Sequence, residues 1–151
     1  MPPTPLRLAE LDTRVGEEIG VSPWLAVDQQ RIDLFAQAID DRNWIHVDPL
    51  RAKTGPFGAA IAHGFLTLSL LSHLFASTFS FDDAGTGINY GLDKVRFTAP
   101  LPAGSRIRAR FVLRSLERLD SGSIQSAWNV VVEREGGGKP VLVAEWLLRN
   151  H

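Results

Sequence analysis

Hydrophobic and polar positions change their rhythm twice along the chain. Residues 21–27 form a short apolar run after Gly20, the pattern of a strand or an extended lead-in. Asp28 then stands where an N-cap belongs. Ile32, Phe35, Ala36 and Ile39 recur at helical spacing, which predicts an amphipathic helix over 29–39 with one buried face. Asp40-Asp41-Arg42-Asn43 ends that rhythm with turn-forming residues, and Asp48-Pro49 restarts a short helix with a cap and a first-turn proline. Asp41 to His46 are therefore expected on a loop between two helices. After a turn at 54–58, residues 64–76 spread Phe65, Leu66, Leu68, Leu70, Leu71, Leu74 and Phe75 around a helix, which predicts burial on all sides.

From residue 86 the period becomes that of β-strands. Four β-branched, alternating stretches at 88–98, 106–116, 123–134 and 141–149 are separated by turns at 100–104, 120–122 and 136–140, and they are expected to pair in series as a meander. The whole reads as one α+β domain over residues 1–151, with a long antiparallel sheet wrapped around one buried central helix: the hot dog fold. The edge of such a sheet needs cover or a partner, so a homodimer with a continuous sheet is expected.

Composition narrows the function. The 151 residues carry 16 Lys and Arg against 17 Asp and Glu, a formal net charge of -1 without a block of like charge, which gives no footprint for a phosphate backbone and argues against nucleic acid. No Cys is present, which removes thiol nucleophiles, thiolate zinc sites and disulfides and fits a cytoplasmic protein. Residues 55–81 lack Asp, Glu, Lys and Arg over more than the roughly 20 residues that span a bilayer. They nevertheless hold two His and several Ser and Thr without a flanking basic cluster, so a buried helix is expected there and not a membrane span. The first ten residues, with three prolines and an early Glu, do not read as an apolar leader, so no export signal is expected there.

No serine-hydrolase elbow, P-loop, zinc motif or dinucleotide fingerprint occurs, and the four histidines have no metal-ligand spacing. What remains is Asp41-Arg42-Asn43-Trp44-Ile45-His46. On a loop this carboxylate and imidazole can converge on one water, one group taking a proton while the other gives one, as hydration of a carbon–carbon double bond requires. A plain structural reading stands beside it, in which Asp41 and Asn43 cap and turn the chain and His46 packs on Trp44. Ala62-His63-Gly64 opens the buried helix, where free N–H groups and an unhindered glycine outline an oxyanion site. A tight turn into the helix accounts for the same glycine.

Asp41-x-Asn43-x-x-His46 followed by His63-Gly64-Phe65-Leu66 resembles the MaoC-like (R)-specific enoyl-CoA hydratases. The stretch from Ile88-Asn89-Tyr90-Gly91 to Thr98-Ala99-Pro100 extends the likeness to the nodulation protein N-like branch, over nearly the whole chain. The resemblance implies Asp41 and His46 as the water-activating pair, the Gly64 N–H at the thioester oxygen, and Asn43 and Ser72 as supporting polar groups. It implies an acyl-CoA substrate and no cofactor. The family's commonest form has Gly before the Asp and Pro after the Asn, where this chain has Asp40 and Trp44; Asp40 is expected to face solvent. The reaction implied is reversible hydration of trans-2-enoyl-CoA to (R)-3-hydroxyacyl-CoA. Thioester hydrolysis and turnover-free acyl-CoA binding are the alternatives the same fold allows.

Elsewhere the simpler readings lead. Arg106, Arg108 and Arg110 share one strand face, either a solvated surface or a meeting place for CoA phosphates, and Lys94 and Arg96 read likewise. His63 is expected as a structural residue at the helix entrance and His73 within the core, with Trp24, Trp128 and Trp146 as core or interface aromatics.

Overall fold

A computed structural model describes all residues from Met1 to His151. Its elements are β1 (Thr4–Leu6), a 3-10 helix (Leu8–Arg14), β2 (Glu18–Val21), β3 (Leu25–Val27), α1 (Gln29–Ile39), α2 (Trp44–Val47), α3 (Pro49–Lys53), α4 (Gly64–Ser69), α5 (Leu71–Thr78), β4 (Phe79–Phe81), β5 (Gly87–Arg96), β6 (Ser105–Arg118), β7 (Ile124–Arg134) and β8 (Leu142–Asn150). A six-stranded antiparallel sheet of order β2-β6-β7-β8-β5, with β3 also on β6, wraps α4 and α5 in the expected hot dog arrangement. No helix is long and apolar enough to cross a membrane.

Alternation builds the sheet's inner face. Ile107, Ala109, Phe111 and Leu113 of β6 are fully buried, as are Trp128, Val130 and Val132 of β7, and they meet Leu71 and Leu74 of α5 in one core. Phe75 sits among five aromatic rings, edge-on to Phe79, Phe111, Trp128 and Trp146 at centroid distances of 5.1–5.5 Å, the geometry that aromatic quadrupoles favour, and stacked with Phe81 at 6.0 Å. The opposite face of β6 is solvated as its arginines suggested. Arg106 pairs with Glu135, Arg108 with Glu133 and Arg110 with both Glu18 and Glu133, while half-buried Trp24 lies under the Arg108 guanidinium.

The pairing of the four long strands differs from a meander in series. β6, β7 and β8 are consecutive neighbours, whereas β5 pairs with β8 at the far side of the sheet. The 97–104 stretch is therefore a crossover and not a hairpin turn. It runs beside the segment entering α4, where Ala62 N–H donates to Leu101 O and Ala103 N–H donates to Ala60 O, both at 2.8 Å.

Two further elements depart from the sequence reading. Pro23 has no N–H for the ladder, so the apolar run at 21–27 divides into β2 and β3; between them Ser22 N–H bonds Ala109 O and Ser22 Oγ accepts from Ala109 N–H. The helix at 64–76 is divided at Leu70, and Ser69 Oγ donates back to Phe65 O at 2.7 Å, a bond that bends helices. Nor is that helix buried all round: Leu66, Leu70, Leu71 and Leu74 face the core, while Phe65, Ser69, Ser72 and His73 are exposed. His73 thus lies outside the core. The polar residues between the leucines mark this open face.

Before α1, β1 pairs with β4, and the 3-10 helix buries Leu8 and Leu11. Asp83 holds its start, accepting from Leu8 N–H at 2.6 Å and Ala9 N–H at 3.0 Å.

Candidate active site

α1 starts at Asp28, whose carboxylate accepts from Arg31 N–H as an N-cap, and stops at Asp40. Asp40 adopts φ 58°, a left-handed conformation that aspartate tolerates better than most side chains. Its carboxylate faces solvent and pairs with Arg42 at 2.8 Å, so the second carboxylate of the Asp40-Asp41 doublet is turned away as expected.

The turn aims Asp41 back over the protein. Asp41 Oδ1 accepts from Asn43 N–H at 3.3 Å, and Asn43 Oδ1 accepts from Ile45 N–H at 3.2 Å as the N-cap of α2. His46 therefore lies on a short helix and not on a loop. Gln29 of α1 anchors this turn by donating to His46 O at 2.7 Å.

His46 is buried, and it does not pack on Trp44, whose ring instead takes the Arg51 guanidinium 4.2 Å above it. The His46 ring lies on that of His63, with centroids 3.8 Å apart and planes 20° apart. His46 Nδ1 is 2.7 Å from Ile61 O, an atom that can only accept, so Nδ1 carries the proton and Nε2 keeps a free lone pair. Burial lowers the His46 pKa from 6.5; the Ile61 hydrogen bond opposes that shift, His63 reinforces it and Asp41 opposes it. At neutral pH the imidazole is uncharged and able to take a proton.

His63 completes the group. Its Nε2–H donates to Asp41 O at 2.9 Å, and the same nitrogen is 4.0 Å from Asp41 Oδ2. One ligand-type atom each from Asp41, His46 and His63 lie within 4.8 Å of one another. Nearly parallel rings 3.8 Å apart do not aim their in-plane lone pairs at one point, so the trio does not fit a tetrahedral zinc site. It fits a small polar molecule held between a carboxylate and an imidazole, since Asp41 is half open to solvent.

Gly64 follows directly as the first residue of α4, and no cap or turn hydrogen bond uses its N–H. A side chain here would collide with Phe97 on the crossover, because a Cβ would come within 2.8 Å of that ring. Beside it opens a cavity of about 350 Å³ lined by Phe57, Ile61, Ala62, Gly64, Thr67 and Phe97 among others. Asp41 and His46 do not line this cavity; they join it through the shared 61–64 segment.

Ser72 is placed elsewhere. Eight residues along the helix carry it roughly 12 Å from Gly64, and its Oγ accepts from Asn89 Nδ2 at 3.3 Å. With Leu68, Asn89, Leu92 and Trp146 it lines a separate cavity of about 390 Å³. Within one chain the structure thus gathers Asp41, His46, His63 and Gly64, uses Asn43 as a helix cap, and leaves Ser72 apart. The closeness of His63 to the pair escapes the sequence; its one sequence signal is a second histidine beside Gly64.

Comparisons with known proteins identify the family of the chain. Residues 10–134 match the MaoC like domain family. The chain is 47% identical over 142 residues to 3-hydroxyacyl-thioester dehydratase Z of Mycobacterium tuberculosis, covering 94% of each chain. It is 46% identical over 144 residues to nodulation protein N of Rhizobium meliloti, covering 94% of this chain and 89% of that one. Among solved structures, an (R)-hydratase of Pseudomonas aeruginosa superposes with a TM-score of 0.70 at 28% identity, over 94% of this chain and 83% of the other.

Proposed function

The chain belongs to the MaoC-like dehydratase family and is a hydro-lyase, and from that premise we propose that it adds water reversibly to a trans-2-enoyl-CoA, giving the (R)-3-hydroxyacyl-CoA. The observation that carries this reading is the fixed tautomer of His46: its Nδ1–H is committed to Ile61 O, leaving Nε2 unprotonated as the base on a ring that comes within 4.8 Å of the Asp41 carboxylate. A water between them gives one proton to Nε2 as its oxygen bonds to C3, and Asp41 orients it through the second hydrogen. The electron pair released to C2 and the thioester is stabilised at the oxygen by Gly64 N–H, and a proton returned from the pair to C2 completes the addition. One C–O and one C–H bond form, while one O–H bond and the π bond between C2 and C3 break. No cofactor takes part.

The partner proposed is a second copy of this chain. β5 is an edge strand, bonded only to β8, and it exposes Ile88, Tyr90 and Leu92 beside the exposed Phe65 and Phe97. A second β5 laid along it continues the sheet and covers this apolar surface. Sedimentation equilibrium is expected to give twice the 16.6 kDa chain mass; a monomer at micromolar concentration contradicts it.

The activity test is loss of enoyl-thioester absorbance with crotonyl-CoA, followed by chiral analysis of the product. Loss with an (R)-3-hydroxy product supports the reading. No loss with crotonyl-, hexenoyl- or longer enoyl-CoA overturns it, and release of free CoA from a saturated acyl-CoA replaces it with thioester hydrolysis.

A further inference from the structure

We infer that His63 is a positioning residue for the Asp41–His46 pair, holding the carboxylate residue by its backbone and the imidazole by its face. The kinetic side of this inference rests on the hydration reading. The geometric side does not.

Three contacts from one short segment hold the pair. His46 Nδ1–H donates to Ile61 O at 2.7 Å, His63 Nε2–H donates to Asp41 O at 2.9 Å, and the His63 ring covers the His46 ring at 3.8 Å. The partners lie 15 to 22 residues apart in sequence, so nothing local to the Asp41–His46 turn supplies these restraints. Phe35 of α1 meets His63 at 5.2 Å with its plane at 65°, fixing that ring in turn. Ala62, between Ile61 and His63, is bonded to Leu101 of the crossover, so the segment is itself braced.

Packing alone does not call for a histidine at this position. His63 is 3% exposed, and its Nδ1 is a buried polar atom without a hydrogen-bond partner. A phenyl ring would stack on His46 equally well and leave no polar atom unsatisfied. The feature a phenyl ring lacks is the Nε2–H that reaches the Asp41 carbonyl. The orphaned nitrogen is thus a cost retained for the sake of the other one.

The stack also bears on His46 as a base. The titratable groups coupled to His46 are Asp41 on the preceding loop and His63; Asp41 favours the imidazolium and His63 disfavours it. From α1 the Gln29 amide reaches His46 O and is shared with the Asp33 carboxylate at 2.9 Å, and the Arg51 charge of α3 is directed onto Trp44. Burial is the larger influence favouring the uncharged His46, and His63 adds to it against the pull of Asp41.

Two variants of the full chain separate these roles. His63→Phe keeps a ring on His46 and removes the donor; His63→Gln keeps an N–H at similar reach and removes the ring face. Crotonyl-CoA hydration is followed from about pH 5 to 9, with the His46 titration read directly by nitrogen–proton NMR. H63F is expected to unfold cooperatively, to lose about tenfold or more in kcat with KM within about twofold, and to move its acidic limb and the His46 midpoint to higher pH. H63Q is expected to regain part of kcat while its His46 midpoint stays raised. A wild-type profile and midpoint in H63F overturn the inference, as does an activity loss that only follows loss of folded protein. If H63F does not fold, an unmoved His46 midpoint in H63Q overturns it. If the wild-type chain hydrates no enoyl-CoA the hydration reading fails, and the His46 midpoint in the variants still decides the role of His63.

Discussion

His46 and His63 lie face to face, 3.8 Å between ring centroids, with the donor nitrogen of each committed to a different backbone carbonyl. Neither ring can rotate without breaking a hydrogen bond and the stack together. The free Nε2 of His46 is thereby given a fixed direction, which proton transfer to a positioned group requires.

The pH dependence follows from the burial of that ring. Its folded-state pKa lies below 6.5, so hydration should be level through neutral pH and fall on the acid side with a midpoint below 6.5. The stability linkage has the same direction: the unfolded chain binds this proton more readily, so His46 withdraws stability as pH drops from about 6.5 through the folded value. Plots of kcat/KM and of Tm against pH check both, and an activity midpoint above 6.5 contradicts the assignment of His46 as base.

Asp41→Asn and His46→Ala should each lower kcat by about 10²- to 10⁴-fold, the usual contribution of a positioned acid or base. Asn at 41 keeps an oxygen for the Asn43 N–H, so D41N should unfold close to the wild-type temperature. Circular dichroism and steady-state kinetics on the same preparations separate chemistry from folding; near wild-type turnover in either variant removes that residue from the mechanism.

Gly64→Ala introduces a Cβ within 2.8 Å of the Phe97 ring, and overpacking of this kind costs about 1–3 kcal/mol. A lower Tm is expected, and restoring it by adding Phe97→Ala would identify that contact as the cause. A Tm in the double variant no higher than in Gly64→Ala alone would point to strain elsewhere at the helix entrance.

Asp83→Asn tests the clamp on the 3-10 helix. The N–H groups of Ala9 and Leu8, with the Ala9 bond foremost, hold the Asp83 pKa below 3.8, so its stabilisation is present above that value and lost as pH falls through the folded one. The variant should melt below the wild type at pH 7, and the gap should narrow in acid. A gap that is constant with pH would mean that the charge plays no part.

The sequence speaks most clearly where the physics is local. Asp28 and the 3.6-residue spacing mark both ends of α1, and the alternation through Ile107, Ala109, Phe111 and Leu113 marks the inner face of β6 without any knowledge of its neighbours. Periodicity says which face a strand buries and nothing about which strand lies beside it; hence β5 was expected next to β6 and stands next to β8. The candidate site divides in the same way. Asp41, Asn43 and His46 share one turn and are legible as a motif, whereas the approach of His63 depends on a contact 17 to 22 residues distant. Ser72 lies on α5, beyond the break at Leu70 that separates it from Gly64 at the start of α4, and the rise of the two helices carries it away from Gly64 within one chain.

The pairing of β5 with β8 also sets an order of events. Residues 87–96 leave the ribosome well before residues 142–150, so the strand carrying Ile88, Tyr90 and Leu92 has no neighbour in its own sheet until β8 has been made. Such distant pairing is entropically slow to form and leaves an apolar strand open to wrong partners meanwhile. Loss of β8 would strip this strand of the neighbour it has within the chain, so the arrival of β8 is the step that closes the sheet around the core.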